Sequence, residues 1–161
     1  MSKNVITYDT CHTELVRMTK ADVYASTILF LVILLICVPL LLMAIYVAKY
    51  VLILGIVLSL VIAIWPLALL YKLISCIRKH YHAKFGDFSI VRDTVYSLSK
   101  GEVISKTSTA DVIYFTNKGR FVPPKSTFDL SSIGDEFYIV VLHCGKQHTM
   151  LAYPMKIYEK R

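Results

Sequence analysis

Between Val23 and Tyr71 the only charged side chain is Lys49. It separates two apolar runs, Val23 to Ala48 and Tyr50 to Tyr71. Each is longer than the roughly 20 residues an α-helix needs to cross a hydrocarbon core of about 30 Å. A bilayer interior offers the backbone no hydrogen-bonding partners, so both runs are expected to be helical. One helix through both would far overshoot a bilayer. The chain is therefore expected to turn near Lys49 and return, as a transmembrane hairpin with both ends on one side.

The 161 residues carry 18 Lys and Arg against 11 Asp and Glu, a formal net charge of +7. Residues 1–84 hold eight basic and three acidic residues, and residues 85–161 hold ten and eight. The excess thus sits beside the apolar runs, where flanks meet anionic headgroups. No basic stripe with interleaved aromatics follows, so nucleic acid is not an expected partner. Lys3, Arg17 and Lys20 precede the first run, and Lys72, Arg78, Lys79 and Lys84 follow the second. The positive-inside rule then places both termini in the cytoplasm of a two-span membrane protein. The first run is too long for a signal peptide and lacks a small-residue cleavage pattern. Cys11, Cys37, Cys76 and Cys144 follow no disulfide spacing, which fits a reducing compartment.

Three segments follow: an N-terminal cytoplasmic piece (1–22), the helical hairpin with its basic flank (23–84), and a cytoplasmic β-domain (85–161). Three arrangements fit the N-terminal piece: on the membrane surface, as an added strand of the C-terminal domain, or loose. Thr19-Lys-Ala-Asp22 has helix-capping spacing directly before the apolar run, so the first helix is expected to start there. Gly55, Ser59 and Ala63 recur every four residues on one helix face, and Ala44 lies as far before the turn as Gly55 lies after it. Small residues at this spacing let helices approach closely in lipid, within the hairpin or against another membrane protein. Tyr46 and Tyr50 suit the outer interface, and Tyr24, Trp65 and Tyr71 the inner one. Lys72, Arg78, Lys79 and Lys84 read first as a membrane anchor and second as an anionic-lipid sensor.

From Phe85 onward short β-branched and aromatic runs alternate with turn signals. Strands are expected at 88–92, 94–98, 103–105, 111–116, 120–122, 137–144 and 147–153. Ser99-Lys-Gly-Glu102 and Asn117-Lys-Gly119 are expected as turns, with one helical turn possible after Pro123-Pro124. The fold class is thus α+β: a helical hairpin followed by a small, mostly antiparallel domain of five to seven strands, a half-open barrel or rolled sheet. A two-residue turn at Gly145-Lys146 would pair Cys144 with Gln147, His143 with His148, Val141 with Met150 and Ile139 with Ala152. The opposite face carries Tyr138, Val140, Leu142, Leu151 and Tyr153. With both faces apolar, one should fill a core and the other be covered by a loop, the N-terminal segment, the membrane surface or a partner.

Opposed imidazoles at His143 and His148 form the one pair resembling a metal site. Cys144 would point to the other face and no third ligand is at hand, so a wet hairpin end is the expectation and no metal or cofactor is assigned. His80 and His82 face different ways on a helix, and Asp135-Glu136 reads as a solvated turn. No Ser/His/Asp or Cys/His spacing, phosphate loop or dinucleotide fingerprint is recognisable.

The stretch Ile133-Gly-Asp-Glu-Phe-Tyr-Ile-Val-Val141, followed by Met150-Leu-Ala-Tyr-Pro-Met-Lys-Ile-Tyr-Glu159, is similar to the end of small bacterial two-span membrane proteins without assigned activity. Its glycine followed by alternating β-branched residues also resembles the β-barrel of NfeD-like proteins. Neither resemblance brings a catalytic residue. The functional expectation is a non-enzymatic membrane-anchored adaptor, an accessory or immunity-type protein. Its partners are the lipid bilayer and a membrane or cytoplasmic protein, with room for a homo-oligomer. A lipid- or ligand-responsive sensor using the basic flank is the alternative, and a metal-dependent enzyme ranks last.

Overall fold

A computed structural model describes residues 4–105 and 108–160; Lys3 of the basic flank lies outside them. In chain order come β1 (Asn4–Ile6), α1 (Tyr8–Ala48), α2 (Leu52–Lys84), β2 (Phe88–Ser105), β3 (Ser108–Phe115), β4 (Gly119–Phe121), α3 (Lys125–Asp129), β5 (Glu136–Cys144), β6 (Lys146–Pro154) and β7 (Tyr158–Lys160). The chain forms two compact units. One holds the residues up to Leu15 together with those from His82 onward, and the other spans Val16–Tyr81.

In the helical unit α1 and α2 are each long and apolar enough to cross a membrane. They turn at Lys49 and Tyr50, whose N–H groups donate to the carbonyls of Tyr46 and Val47 at 3.2 and 3.0 Å. Few side chains of the apolar runs are buried between the helices. Leu35 and Ile53 are among the most exposed of those facing away, at 76% and 77%. Toward the far end Thr19 Oγ1 meets His80 Nδ1 at 3.0 Å, and Ser26 Oγ meets Cys76 Sγ at 3.4 Å.

The expected start of the first helix is corrected. The helix has 41 residues and begins at Tyr8. Thr7 and Thr10 form a reciprocal cap: the Thr10 N–H donates to Thr7 Oγ1 at 3.2 Å, and the Thr7 N–H donates to Thr10 Oγ1 at 3.0 Å. Such an exchange satisfies two backbone donors that a helix start leaves open. Thr19 is instead a buried mid-helix residue whose hydroxyl contacts the Val16 carbonyl.

The β-unit contains a five-stranded sheet in the order β4-β3-β2-β5-β6 and a parallel pair, β1 with β7. Of the three arrangements considered for the N-terminal segment, the added strand is the one found. The two strands expected at 88–92 and 94–98, and the one at 103–105, are a single 18-residue strand, β2. Its first part pairs with β5 and its later part with β3. The expected turn at Ser99–Glu102 is a bulge within that strand. Gly101 takes φ +60°, and its N–H donates to Asp111 Oδ1 across the ladder at 3.0 Å. A bulge inserts residues and bends a strand without ending it, which local turn chemistry alone does not separate from a reversal.

One sheet face carries the core: Val95, Ile113, Phe115, Phe128, Phe137, Ile139 and Val141, with Phe128 supplied by α3. The other face carries Phe88, Tyr138, Val140, Leu142 and Leu151, all buried. The final hairpin is therefore interior on both sides. Its register matches the expected pairing at Ile139–Ala152 and then slips by one residue. Beyond a bulge between Val140 and Val141, Leu142 pairs with His148, His143 with Gln147 and Cys144 with Lys146, around Gly145 at φ +75°.

Candidate functional site

The second sheet face is covered by the chain's own N-terminal segment. After the Thr7–Thr10 cap, Cys11 and Leu15 recur at i and i+4, so they share one side of α1. Both are fully buried. Tyr8, one turn earlier, stacks on Phe88 with ring centroids 4.5 Å apart, and His12 lies over the same ring at 6.1 Å. The aromatic stack thus seats the first turns of α1 on β2, and Cys11 and Glu14 meet Tyr153 of β6.

Polar contacts hold this cover at its edges. The Tyr8 hydroxyl donates to the Gly86 carbonyl at 2.9 Å, and His12 Nε2 donates to the Lys84 carbonyl at 3.2 Å. These two acceptors sit where α2 ends. Gly86, at φ +72°, closes that helix: its N–H donates to the Ala83 carbonyl and that of Asp87 to the His82 carbonyl. The pattern is the double bond of a helix C-cap, for which glycine is suited because it lacks a Cβ. Here the lack has a second use, since a Cβ on Gly86 would lie 2.7 Å from the Tyr8 hydroxyl oxygen. The His82 imidazole and Asp87 carboxylate span the same junction at 2.7 Å.

On β6 the Tyr153 hydroxyl donates to Glu14 Oε2, beside Cys11 and the Tyr158 ring. Burial, then the Glu14 hydrogen bond and charge, push the Tyr153 hydroxyl far above its ordinary range. Burial, with the Glu14 charge next, likewise raises the Cys11 thiol. Both groups are therefore protonated at neutral pH, and the cluster acts as a hydrogen-bonded clasp. A deprotonated nucleophile would need the opposite shifts.

His143 and His148 do not form the pair expected of them. The one-residue register slip puts their side chains on opposite faces, because strand neighbours alternate. His143 Nε2 instead meets Ser89 Oγ at 3.0 Å. Among the described residues no three His, Cys, Asp or Glu side chains converge as metal ligands. Of the small residues, Gly55 is buried against Ala48, four positions beyond the expected Ala44, and a Cβ there would fall 2.3 Å from that of Ala48. Ala44 is buried, Ser59 and Ala63 are half-buried, and the Ser59 hydroxyl donates to the Gly55 carbonyl at 2.8 Å. Lys72, Arg78 and Lys84 are exposed on α2 and Lys79 half-buried. Asp135 accepts the Ser132 N–H and pairs with Lys156 at 2.6 Å.

Comparison with protein-family models, with curated proteins and with solved structures gives no match.

The described residues include two shallow clefts. One, of about 310 Å³, is lined by Leu98, Lys100, Phe128, Asp129 and Ser131 where β2 runs past α3. The other, of about 170 Å³, is floored by Asp93. That buried carboxylate accepts the N–H groups of Thr94, Asn117 and Lys118 and the Asn117 side-chain amide, so it is committed to the β3–β4 turn. Val95 exchanges backbone bonds with Gly134 and Asp135. Its neighbours Tyr96 and Ile133 are exposed, at 73% and 70%.

Proposed function

We propose that the chain is a non-enzymatic, membrane-anchored adaptor whose helical hairpin sits in the bilayer and whose β-unit binds a protein partner in the cytoplasm. The observation that carries the membrane reading is the apolar exterior of the hairpin. Burying one Leu or Ile side chain is worth about 1.5–3 kcal/mol. Leu35, Leu42, Ile53, Leu60 and many others face outward, so water would be a costly surrounding and lipid a favourable one. The basic residues at the ends of the apolar runs support cytoplasmic termini. A cysteine replacing the exposed Ile133 should resist an impermeant thiol reagent in intact cells and react after lysis; reaction without lysis would reverse the topology.

For the partner, the final hairpin no longer serves as a docking surface, since both its faces are covered from within the chain. The support moves to the exposed Tyr96 and Ile133, which flank the Val95–Gly134 backbone bond. Purification in mild detergent should recover a stoichiometric second protein with the native chain. The double variant Tyr96→Asp, Ile133→Asp should lose it while staying folded. Equal recovery from both would remove this surface from the reading.

A second reading, a lipid-responsive sensor, is favoured by one feature. Both α1 and α2 continue without a break from their apolar runs to residues of the β-unit.

A further inference from the structure

We propose that Tyr46, Lys49 and Tyr50 at the hairpin turn form a binding site for the phosphate headgroup of an anionic phospholipid. The proposal rests on the membrane reading above and adds a ligand to it. Lys49 is the only charged residue between Val23 and Tyr71, and it is exposed. The sequence holds no acidic residue between Asp22 and Asp87. Asp22 is therefore the one acidic side chain of the helical unit, Val16–Tyr81, and it precedes the turn by about 40 Å of helix. An ion pair requires its partners within about 4 Å, so the unit gives Lys49 no counter-ion of its own. At a bilayer surface the anion at hand is a lipid phosphate.

Two phenols complete the chemistry. The Tyr46 and Tyr50 hydroxyls meet at 3.1 Å, with the rings edge to face at 5.4 Å. One hydroxyl donates in that bond, and the accepting phenol keeps its own proton for a further acceptor. Lys49 Nζ lies 6.0 Å from the centroid of the Tyr46 ring, and both rings are exposed. An ammonium and a phenolic donor thus share one patch of the turn, where the oxygens of a single anion can meet both. The same chemistry selects among lipids. Phosphatidylcholine carries its own cation beside the phosphate, whereas phosphatidylglycerol carries none and gains one from Lys49. Soluble phosphate offers the same oxygens, but the turn joins two apolar runs that the membrane reading places in the bilayer, and this favours the lipid.

The test uses the full chain with Trp65→Phe and Val51→Trp, or Leu52→Trp where the first does not float, so that its one tryptophan lies beside the turn. Vesicles contain phosphatidylcholine mixed with acyl-brominated phosphatidylglycerol, and flotation and circular dichroism establish insertion and helicity. Quenching of that tryptophan across a series of mixtures gives the ratio of the two lipids' affinities at the turn. The basic residues from Lys72 onward sit roughly 30 Å of helix away, so the lipids they attract do not contribute. The expected preference for phosphatidylglycerol is about fivefold, the effect of one lysine near a bilayer surface. Lys49→Gln should abolish it and Lys49→Arg should keep it. The double variant Tyr46→Phe, Tyr50→Phe should lower it about threefold, the effect of an exposed hydrogen bond. Replacing chloride by inorganic phosphate at constant ionic strength should leave it unchanged. A native chain that does not float overturns the membrane reading and the site together. A floating, helical chain without the preference, or with the same preference in Lys49→Gln, overturns the site alone. Loss of the preference in inorganic phosphate would make a soluble anion the ligand and overturn the lipid assignment.

Discussion

The Tyr153 hydroxyl donates to the Glu14 carboxylate across 139 positions of sequence, joining the second-to-last strand to the second turn of the first helix. This bond converts an N-terminal segment with three open arrangements into part of the β-unit. Tyr153→Phe removes it and leaves Glu14 without that donor. The expected cost is about 1–3 kcal/mol, read as a lower thermal midpoint in detergent. An unchanged midpoint would make the bond incidental.

The same pair sets an alkaline limit. In the folded chain the Tyr153 phenol titrates well above its ordinary 10.0, and the Cys11 thiol above its ordinary 9.0, each held neutral chiefly by burial. In the unfolded chain both release their protons near those ordinary values, so the unfolded state binds fewer protons at high pH. Their stabilisation is complete below about pH 9 and declines as pH rises further. Stability of the native chain should fall from pH 9 to 11, and the Tyr153→Phe, Cys11→Ala double variant should show a shallower fall. Identical slopes would assign the alkaline loss to other groups.

The start of α1 separates two capping positions. Thr7→Ala should cost about 1 kcal/mol and speed amide exchange in the first turn, because Thr7 and Thr10 exchange hydrogen bonds there. Asp22→Ala, in mid-helix and exposed, should leave those amides unaffected. The reverse result would restore the helix start near Thr19.

At the hairpin turn a Cβ on Gly55 would stand 2.5 Å from the Ala48 backbone. Backbone cannot step aside as a flexible side chain can, so Gly55→Leu should force the helices apart and forfeit contacts along both. Resistance to dodecyl sulfate unfolding should drop, and even Gly55→Ala should lower it. If neither variant differs from the native chain, the close approach contributes nothing.

Both faces of the final hairpin should behave alike. Ile139 packs in the core and Leu142 lies on the other sheet face beside Phe88, and each is fully buried. Truncation of a buried Leu or Ile to Ala costs about 2–5 kcal/mol, a large share of the stability of so small a unit. Ile139→Ala and Leu142→Ala should each cause loss of amide protection throughout the β-unit. A Leu142→Ala chain that kept its core protection would reopen that face as a docking surface.

What was legible in the sequence follows one rule: patterns enforced by a solvent or by the backbone can be read locally. A run without charge from Val23 to Ala48 admits little but a helix, and Lys49 marks where the chain reverses. Alternating β-branched residues with glycine turns indicated an antiparallel sheet, and Pro123-Pro124 ended a strand because proline cannot donate to the ladder. Features that depend on what lies opposite were not legible. Ser99-Lys-Gly-Glu102 carries the same chemistry whether the chain reverses or bulges, and only the facing Asp111 decides for the bulge. The extra residue at the Val140–Val141 bulge moved His148 from beside His143 to the other face, since strand side chains alternate with a period of two. The N-terminal cover had a local signal in Thr7-x-x-Thr10 with Cys11 and Leu15 behind it, but it ran straight into a stronger apolar pattern that marked a different start. That Tyr8 and His12 of this segment meet Phe88, and Glu14 meets Tyr153, is a tertiary matter. An apolar face must be covered, the sequence alone determined that requirement, and only the folded chain decided which of its segments met it.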